Sequence, residues 1–137
     1  MDLNNIDKAS NKVLYVDVDE TLVFWDDPLK PYHGSYTINT GLVRAIRLAL
    51  THNVYSEVII WSGGGKPWAD TISKMLFLKY KLKSLDKFLS HQDVPDNAYA
   101  VDDRLQQNRH YLSKFIRVFS PTEHKELLFD TSISGNF

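Results

Sequence analysis

The sequence contains no cysteine. Its absence excludes a disulfide framework, a thiolate metal site and a cysteine nucleophile, and it suits a protein of the cytosol. An excess of one charge sign is also missing, because 16 Lys and Arg residues stand against 17 Asp and Glu, for a formal net charge of -1. This balance argues against a protein whose main role is to coat nucleic acid.

Long apolar runs are missing as well. No run approaches the ~20 residues that a membrane-spanning helix needs, and the polar residues 1–12 do not resemble a signal peptide. We therefore expect a cytoplasmic protein with no membrane partner. With 137 residues and 43% hydrophobic content, the chain is long enough for one domain with a substantial core. We predict this domain over residues 13–130, after a polar N-terminal segment (1–12) and before a C-terminal tail (131–137).

Short apolar runs alternate with amphipathic stretches along the chain. Five runs rich in β-branched and aromatic residues predict strands, at residues 13–16, 57–61, 87–90, 98–101 and 115–119. The amphipathic stretches predict helices at residues 40–52, 67–81 and 104–114, with a further short helix after residue 120. Strands that alternate with helices form parallel sheets with right-handed crossovers. The predicted fold is therefore α/β, a Rossmann-like core with a five-stranded parallel sheet flanked by helices.

Three of the predicted strands lead into polar, reactive side chains. VLYV is followed by Asp17 and Asp19, VIIW by Ser62, and AYAV by Asp102 and Asp103. Ligands of open parallel sheets bind at the carboxyl ends of the strands, where neighbouring strands would bring these side chains together. Clustered carboxylates repel one another unless a cation offsets their charge. Oxygen ligands of this kind predict a hard divalent cofactor, Mg²⁺.

The order and spacing of these motifs resemble those of the haloacid dehalogenase superfamily of phosphohydrolases. The first motif is DVDET (17–21), the second is Ser62, and the fourth is the pair Asp102 and Asp103, within a resemblance that spans residues 13 to about 119. DVDETLV is also similar to the carboxy-terminal-domain phosphatases of RNA polymerase II. VDDR is similar to the 3'-phosphatase domain of phage polynucleotide kinase.

The resemblance implies a Mg²⁺-dependent phosphomonoester hydrolase that works through an aspartyl-phosphate. Asp17 would be the nucleophile, and Asp19 would act first as general acid and then as general base. An acid at the position of Asp19 favours phosphatase over dehalogenase chemistry. The metal would be held by Asp17, the backbone carbonyl of Asp19, Asp102 and, partly through water, Asp103.

The same resemblance assigns the residues that would bind the phosphoryl group. These are Thr21, Ser62 and the backbone amides of Gly63 and Gly64, assisted by the N-terminus of the helix that follows. Glycine runs are weak evidence by themselves, and a flexible turn is the alternative explanation for Ser62 to Gly65.

A lysine is missing where the third motif of this superfamily is expected. If residues 87–90 form the preceding strand, that position falls near His91. Either His91 or Lys87 would then supply the charge, and Lys87 is favoured because it is cationic at neutral pH. Lys66 is the next candidate.

Simpler explanations exist for the other motifs. The acids of DVDET could be solvated residues at a strand end, and Asp102 or Asp103 could cap the helix predicted from Arg104. Six lysines between residues 66 and 87 suggest a nucleic-acid surface, but a solvated helix end is favoured. The five histidines show no metal-binding spacing, so no zinc site is predicted.

The chain has no room for a cap domain over the site. Residues 22–39 can form only a flap or hairpin, whose Trp25, Tyr32, His33 and Tyr36 would contact the substrate or pack. An open site suits a phosphate on a protein, a nucleic-acid end or another bulky molecule, or a small substrate enclosed by an oligomer partner. A nucleic acid 3'-phosphatase and a non-catalytic binding protein remain as alternatives, and the oligomeric state stays open.

Overall fold

A five-stranded parallel sheet forms the centre of the molecule in the computed structural model, which describes residues 11–103 and 110–128. The strands are β1 (Val13–Asp17), β2 (Val23–Trp25), β3 (Tyr36–Ile38), β4 (Glu57–Ser62), β5 (Lys83–Asp86), β6 (Ala98–Val101) and β7 (Arg117–Phe119). The sheet has the order β5-β4-β1-β6-β7, and β2 pairs with β3 in a separate antiparallel hairpin. This arrangement confirms the predicted α/β, Rossmann-like fold.

Three α-helices and four one-turn 3₁₀-helices accompany the strands in the described part of the chain. They are α1 (Thr40–Thr51), α2 (Lys66–Phe77), α3 (Lys87–Ser90) and the turns Leu78–Tyr80, His91–Asp93, His110–Lys114 and His124–Leu128. α1 agrees with its prediction. α2 has Pro67 in its first turn, as expected. It ends at Phe77, earlier than predicted, and is followed by the 3₁₀ turn Leu78–Tyr80. Lys81 ends this turn in the left-handed region, with φ of 50°.

Alternating side chains of β1 pack on opposite faces of the sheet. Leu14 and Val16 belong to the core that α1 and α2 cover, while Val13 and Tyr15 pack with Phe115 on the other face. Because both faces are covered, β1 is buried along its whole length and has the near-continuous apolar sequence of an interior parallel strand. Its final residue therefore emerges in the middle of the carboxyl edge of the sheet.

The prediction of a strand at residues 87–90 was wrong. These residues form α3, because the side chain of Asp86 accepts hydrogen bonds from the amides of Phe88 (2.9 Å) and Leu89 (3.1 Å) and so caps a helical turn. The apolar pair misled the prediction, since Phe88 and Leu89 are exposed while Lys87 is buried. The fifth strand of the sheet is the preceding segment, β5.

Other predictions fall partly or wholly outside the described residues. The helix predicted over 104–114 is described only at its end, as the 3₁₀ turn His110–Lys114, and the predicted terminal helix is the 3₁₀ turn His124–Leu128. Most of the polar N-terminal segment and all of the tail lie outside. Within residues 11–103 and 110–128, no helix is both long and apolar enough to cross a bilayer.

Asn39 connects the hairpin, α1 and the C-terminal part of the fold. Its side-chain oxygen accepts a hydrogen bond from the amide of Leu42 (3.2 Å), which caps α1. Its amide nitrogen donates to the carbonyl oxygens of Thr21 (3.0 Å) and Pro121 (3.1 Å). One side chain thus fixes the loop that follows β1.

Replacement of Asn39 by alanine should lower the free energy of unfolding by about 2–4 kcal/mol, from the lost cap and the two carbonyl oxygens left without their donor. Asn39→Asp keeps the cap but cannot donate, so it isolates the second contribution. Urea unfolding of both variants measures the difference. An aspartate variant as stable as wild type would show that the donated bonds contribute nothing.

Candidate active site

The carboxyl ends of three neighbouring strands form the candidate site. β1 lies between β4 and β6, with Asp17 paired in register with Trp61 and Val16 with Val101. Ser62, the last residue of β4, and Asp102, which directly follows β6, therefore lie on either side of Asp17. The chain fills the sheet on the β4 side of β1 first and then crosses to the β6 side, which creates the switch point where ligands of such sheets bind.

Asp17, Asp102 and Asp103, here called the acidic cluster, lie together at this edge. Each offers a carboxylate oxygen, and these oxygens lie within 4.8 Å of one another. Asp17 and Asp102 are buried, while Asp103 is half-buried. A set of closely spaced carboxylate oxygens matches the ligands that hard divalent cations prefer. The acidic cluster could therefore hold a metal ion.

Lys87 is the cation that the fold brings to the acidic cluster. Its Nζ lies 2.7 Å from Oδ1 of Asp17 and 3.1 Å from Oδ2 of Asp102, and it lies 5.7 Å from the centre of the Trp61 ring. Only 5% of Lys87 is exposed, so these contacts replace most of its hydration. Of the two residues predicted to supply this charge, Lys87 meets Asp17 from the start of α3, and His91 lies in the 3₁₀ turn that follows.

Burial raises the pKa of Asp17, because the ionised carboxylate loses its hydration in the folded protein. The charge of Lys87 opposes this effect, while the carboxylates of Asp102 and Asp103 add to it. The hydroxyl of Thr21 also lies against Asp17, donating to Oδ2 at 3.2 Å. Since one ammonium faces the three carboxylates of the acidic cluster, an additional cation would relieve the remaining negative charge.

Asp19 lies in a different environment, because four groups donate hydrogen bonds to its carboxylate. The indole N–H groups of Trp25 (2.9 Å) and Trp68 (3.1 Å) both donate to Oδ1. The hydroxyls of Tyr32 (3.0 Å) and Ser62 (2.9 Å) both donate to Oδ2. The contribution of its backbone carbonyl to a metal site stays a prediction.

The rings around Asp19 form a group that we call the aromatic flap: Trp25, Tyr32 and Tyr36 of the hairpin segment, and Trp68 of α2. Their ring centroids lie 5.0–6.2 Å apart in the contacting pairs. Burial, together with the charge of Asp19 and the hydrogen bond to it, raises the pKa of Tyr32 to about 12. Tyr32 therefore keeps its proton at neutral pH and can donate to the carboxylate.

Sequence reasoning identified the hairpin members of the aromatic flap but gave Trp68 no role in the site. The available signal was its position in the first turn of α2, six residues after Ser62, since a helix that starts at the carboxyl edge keeps its first turn beside the site. His33, the remaining predicted flap residue, is exposed.

The glycine turn after β4 is shaped by close contact with aromatic rings. A Cβ atom on Gly64 would lie 2.2 Å from the hydroxyl oxygen of Tyr32, and one on Gly63 would lie 2.8 Å from the ring of Phe88. The amide of Gly64 donates to Oγ of Ser62 (2.9 Å), which is the hydroxyl that donates to Asp19. Two of the predicted phosphate-binding groups, Ser62 and the amide of Gly64, are thus bonded to each other, and a phosphoryl oxygen would have to replace this bond.

The lysine-rich segment is divided between different surroundings. Lys74 pairs with Asp70 at 2.9 Å and Lys83 with Glu57 at 3.6 Å, both on the surface, while Lys87 is buried at the acidic cluster. Lys66 is exposed at the start of α2, next to the glycine turn.

Charge balance in the acidic cluster predicts opposite effects for two substitutions. Lys87→Met should lower the free energy of unfolding by about 3–5 kcal/mol, because it leaves buried carboxylates without their ammonium partner. Asp17→Asn should have a free energy of unfolding at least equal to that of wild type. The pKa of Asp17 is raised in the folded protein, so its ionisation costs stability once the pH is above the ordinary carboxyl range. An asparagine avoids this cost.

Urea unfolding in the presence of EDTA, at pH 4 and pH 7, measures both effects. The advantage of Asp17→Asn over wild type should be larger at pH 7. A Lys87→Met variant as stable as wild type, or an Asp17→Asn variant clearly less stable at pH 7, would contradict this description of the acidic cluster.

No protein-family model, curated protein or solved structure matches this chain. The case for a function therefore depends on the arrangement of its own side chains and on the motifs of its sequence.

Proposed function

We propose that the chain is a Mg²⁺-dependent phosphomonoester hydrolase of the haloacid dehalogenase superfamily, acting through an aspartyl-phosphate. The observation that carries the proposal is the contact of Lys87 with Asp17 and Asp102. The superfamily needs a cation at this point, after the strand that precedes the one leading into Asp102, and Lys87 directly follows that strand, β5. With Lys87 in that role, each of the four motifs of the superfamily would have a counterpart in this chain.

The acidic cluster fits the metal in the chemistry of its donors, which are carboxylate oxygens close to one another. Asp17, Asp102 and Asp103 would hold the ion. When bound, Mg²⁺ would offset negative charge on the phosphoryl group and the carboxylates.

In the first step a carboxylate oxygen of Asp17 attacks phosphorus, and the bond between phosphorus and the leaving oxygen breaks. Lys87 offsets the charge shared by the nucleophile and the phosphoryl oxygens. Asp19 donates a proton to the leaving oxygen. In the second step Asp19 removes a proton from the water that attacks phosphorus, and Asp17 is released.

The form of the flap supports a bulky substrate. The segment between β1 and α1 forms only a short hairpin and its loop, so this segment covers the site with a flap and not with a cap domain. A phosphorylated protein or nucleic-acid end is therefore the favoured class of substrate. Comparison of phosphopeptides with oligonucleotide 3'-phosphates distinguishes the two.

Asp17→Asn should reduce kcat by several orders of magnitude with a generic aryl phosphate, because an amide is a poor nucleophile. Asp26→Asn, an exposed position in the hairpin, is the matched control and should retain wild-type activity. Activity above about a tenth of wild type in Asp17→Asn would refute the covalent mechanism. A wild-type protein inactive on every phosphomonoester would favour the non-catalytic alternative.

EDTA should abolish turnover and Mg²⁺ should restore it. Asp102→Asn should raise the Mg²⁺ concentration needed for half-maximal activity by about tenfold or more, because one ligand is lost. Asp96→Asn, an exposed carboxylate near β6, serves as the control. Full activity in EDTA, or an unchanged Mg²⁺ requirement in Asp102→Asn, would contradict the metal assignment.

A further inference from the structure

The two oxygens of the Asp19 carboxylate have chemically different partners. Oδ1 accepts from the indole N–H groups of Trp25 and Trp68, and Oδ2 accepts from the hydroxyls of Tyr32 and Ser62. An indole N–H can only donate a hydrogen bond, whereas a hydroxyl can donate or accept. A proton on Oδ2 can therefore find a hydrogen-bond acceptor among these partners, whereas a proton on Oδ1 cannot.

A proton on Oδ1 would face two N–H groups and would find no acceptor in either of them. A proton on Oδ2 would meet two hydroxyl oxygens that can accept it after a rotation of their O–H bonds. The donors around Asp19 thus select Oδ2 as the oxygen that carries a proton.

We propose that Trp25 and Trp68 are positioning residues for proton transfer, holding Oδ1 of Asp19 so that Oδ2 delivers the proton to the leaving oxygen and later receives one from water. This inference rests on the proposed function. It assigns a role to two residues, one from the hairpin and one from α2, that lie on different elements and meet at a single carboxylate oxygen.

Exposure indicates the side on which the proton leaves. Of the two hydroxyl residues at Oδ2, Ser62 is fully buried, while Tyr32 is 47% exposed. The leaving oxygen of a substrate would approach from the side of Tyr32 and compete with its hydroxyl for Oδ2. As the bond between Asp17 and phosphorus forms, the electron pair of the breaking bond goes to the leaving oxygen, which takes the proton from Oδ2.

Hydrolysis of the aspartyl-phosphate completes the cycle, and in this step Asp19 accepts a proton. Water attacks the phosphorus of the aspartyl-phosphate, its proton passes to Oδ2, and the electron pair of the breaking bond returns to the carboxylate of Asp17. Asp19 ends in the protonated state in which it started, so the balance needs no further reactant.

Ring packing alone is the competing explanation for both tryptophans. A purely structural role would affect all substrates alike, whereas a role in protonation depends on how much the leaving group needs a proton. Nitrophenolate leaves readily without one, while an alkoxide does not. The leaving group therefore separates the two explanations.

The test compares Trp25→Phe and Trp68→Phe with wild type, using p-nitrophenyl phosphate and a simple alkyl phosphate. Each variant should lose about tenfold or more in kcat/KM for the alkyl ester but less than about threefold for the nitrophenyl ester. Tyr36→Phe is the matched control, because Tyr36 packs in the aromatic flap but its hydroxyl lies at the sulfur of Met75 (3.9 Å). It should leave both values within about twofold of wild type. Equal losses for the two esters, or no loss, would overturn the inference.

A measurement without turnover examines the contacts themselves. The chain has three tryptophans and so should give three indole N–H signals in a nitrogen-15 correlation spectrum. Asp19→Ala should shift the signals of Trp25 and Trp68 much more than that of Trp61, and unmoved signals would overturn the inference. A wild-type protein that hydrolyses no phosphomonoester, phosphopeptides and oligonucleotide 3'-phosphates included, would overturn the proposed function, and with it the proton-transfer role, even if the signals move.

Discussion

The pairing of a buried lysine with buried carboxylates is the interaction on which the candidate site depends. Lys87 contacts Asp17 and Asp102 with almost no exposure to water. A buried carboxylate is costly unless a cation compensates it, so the clustering of acids at the end of β1 requires a partner of this kind. Lys87 reaches the site because the cap from Asp86 starts α3 at Lys87, where the chain leaves β5.

Two aspartates that are neighbours in sequence have environments of different character. Asp17 lies among charges, where burial and the other carboxylates raise its pKa and Lys87 opposes them. Asp19 lies among neutral donors, three from the aromatic flap and one from Ser62 at the end of β4. Different surroundings are how one site assigns different roles to two carboxylates. Under the proposed function, the first is suited to attack phosphorus and the second to move protons.

The hairpin contributes to the chemistry as well as covering the site. Its Trp25 and Tyr32 donate to Asp19, and Tyr32 also packs against Gly64, which leaves no space for a larger residue there. The environment of Asp19 is therefore complete only when the hairpin, α2 and the end of β4 are all in place. Binding of a substrate at Oδ2 would alter contacts in each of these elements.

The sequence by itself determined the fold class and the position of the acids. The apolar runs that became β1, β4 and β6 are buried on both faces, and such strands have a clear sequence pattern, so the residues at their ends were identified correctly as neighbours. Asp17, Ser62 and Asp102 came together for this reason. The functional roles of these residues still rest on resemblance and chemistry.

Only the tertiary structure decided which cation meets the acids and what surrounds Asp19. Residues 87–90 have exposed apolar side chains and a buried lysine, the reverse of the usual pattern, because α3 directs Lys87 toward charges that lie 70 residues earlier in the chain at Asp17. Trp68 meets Trp25 and Asp19 across similarly distant parts of the sequence. Local patterns carry information about burial and backbone conformation, whereas contacts of this kind depend on how separate elements pack.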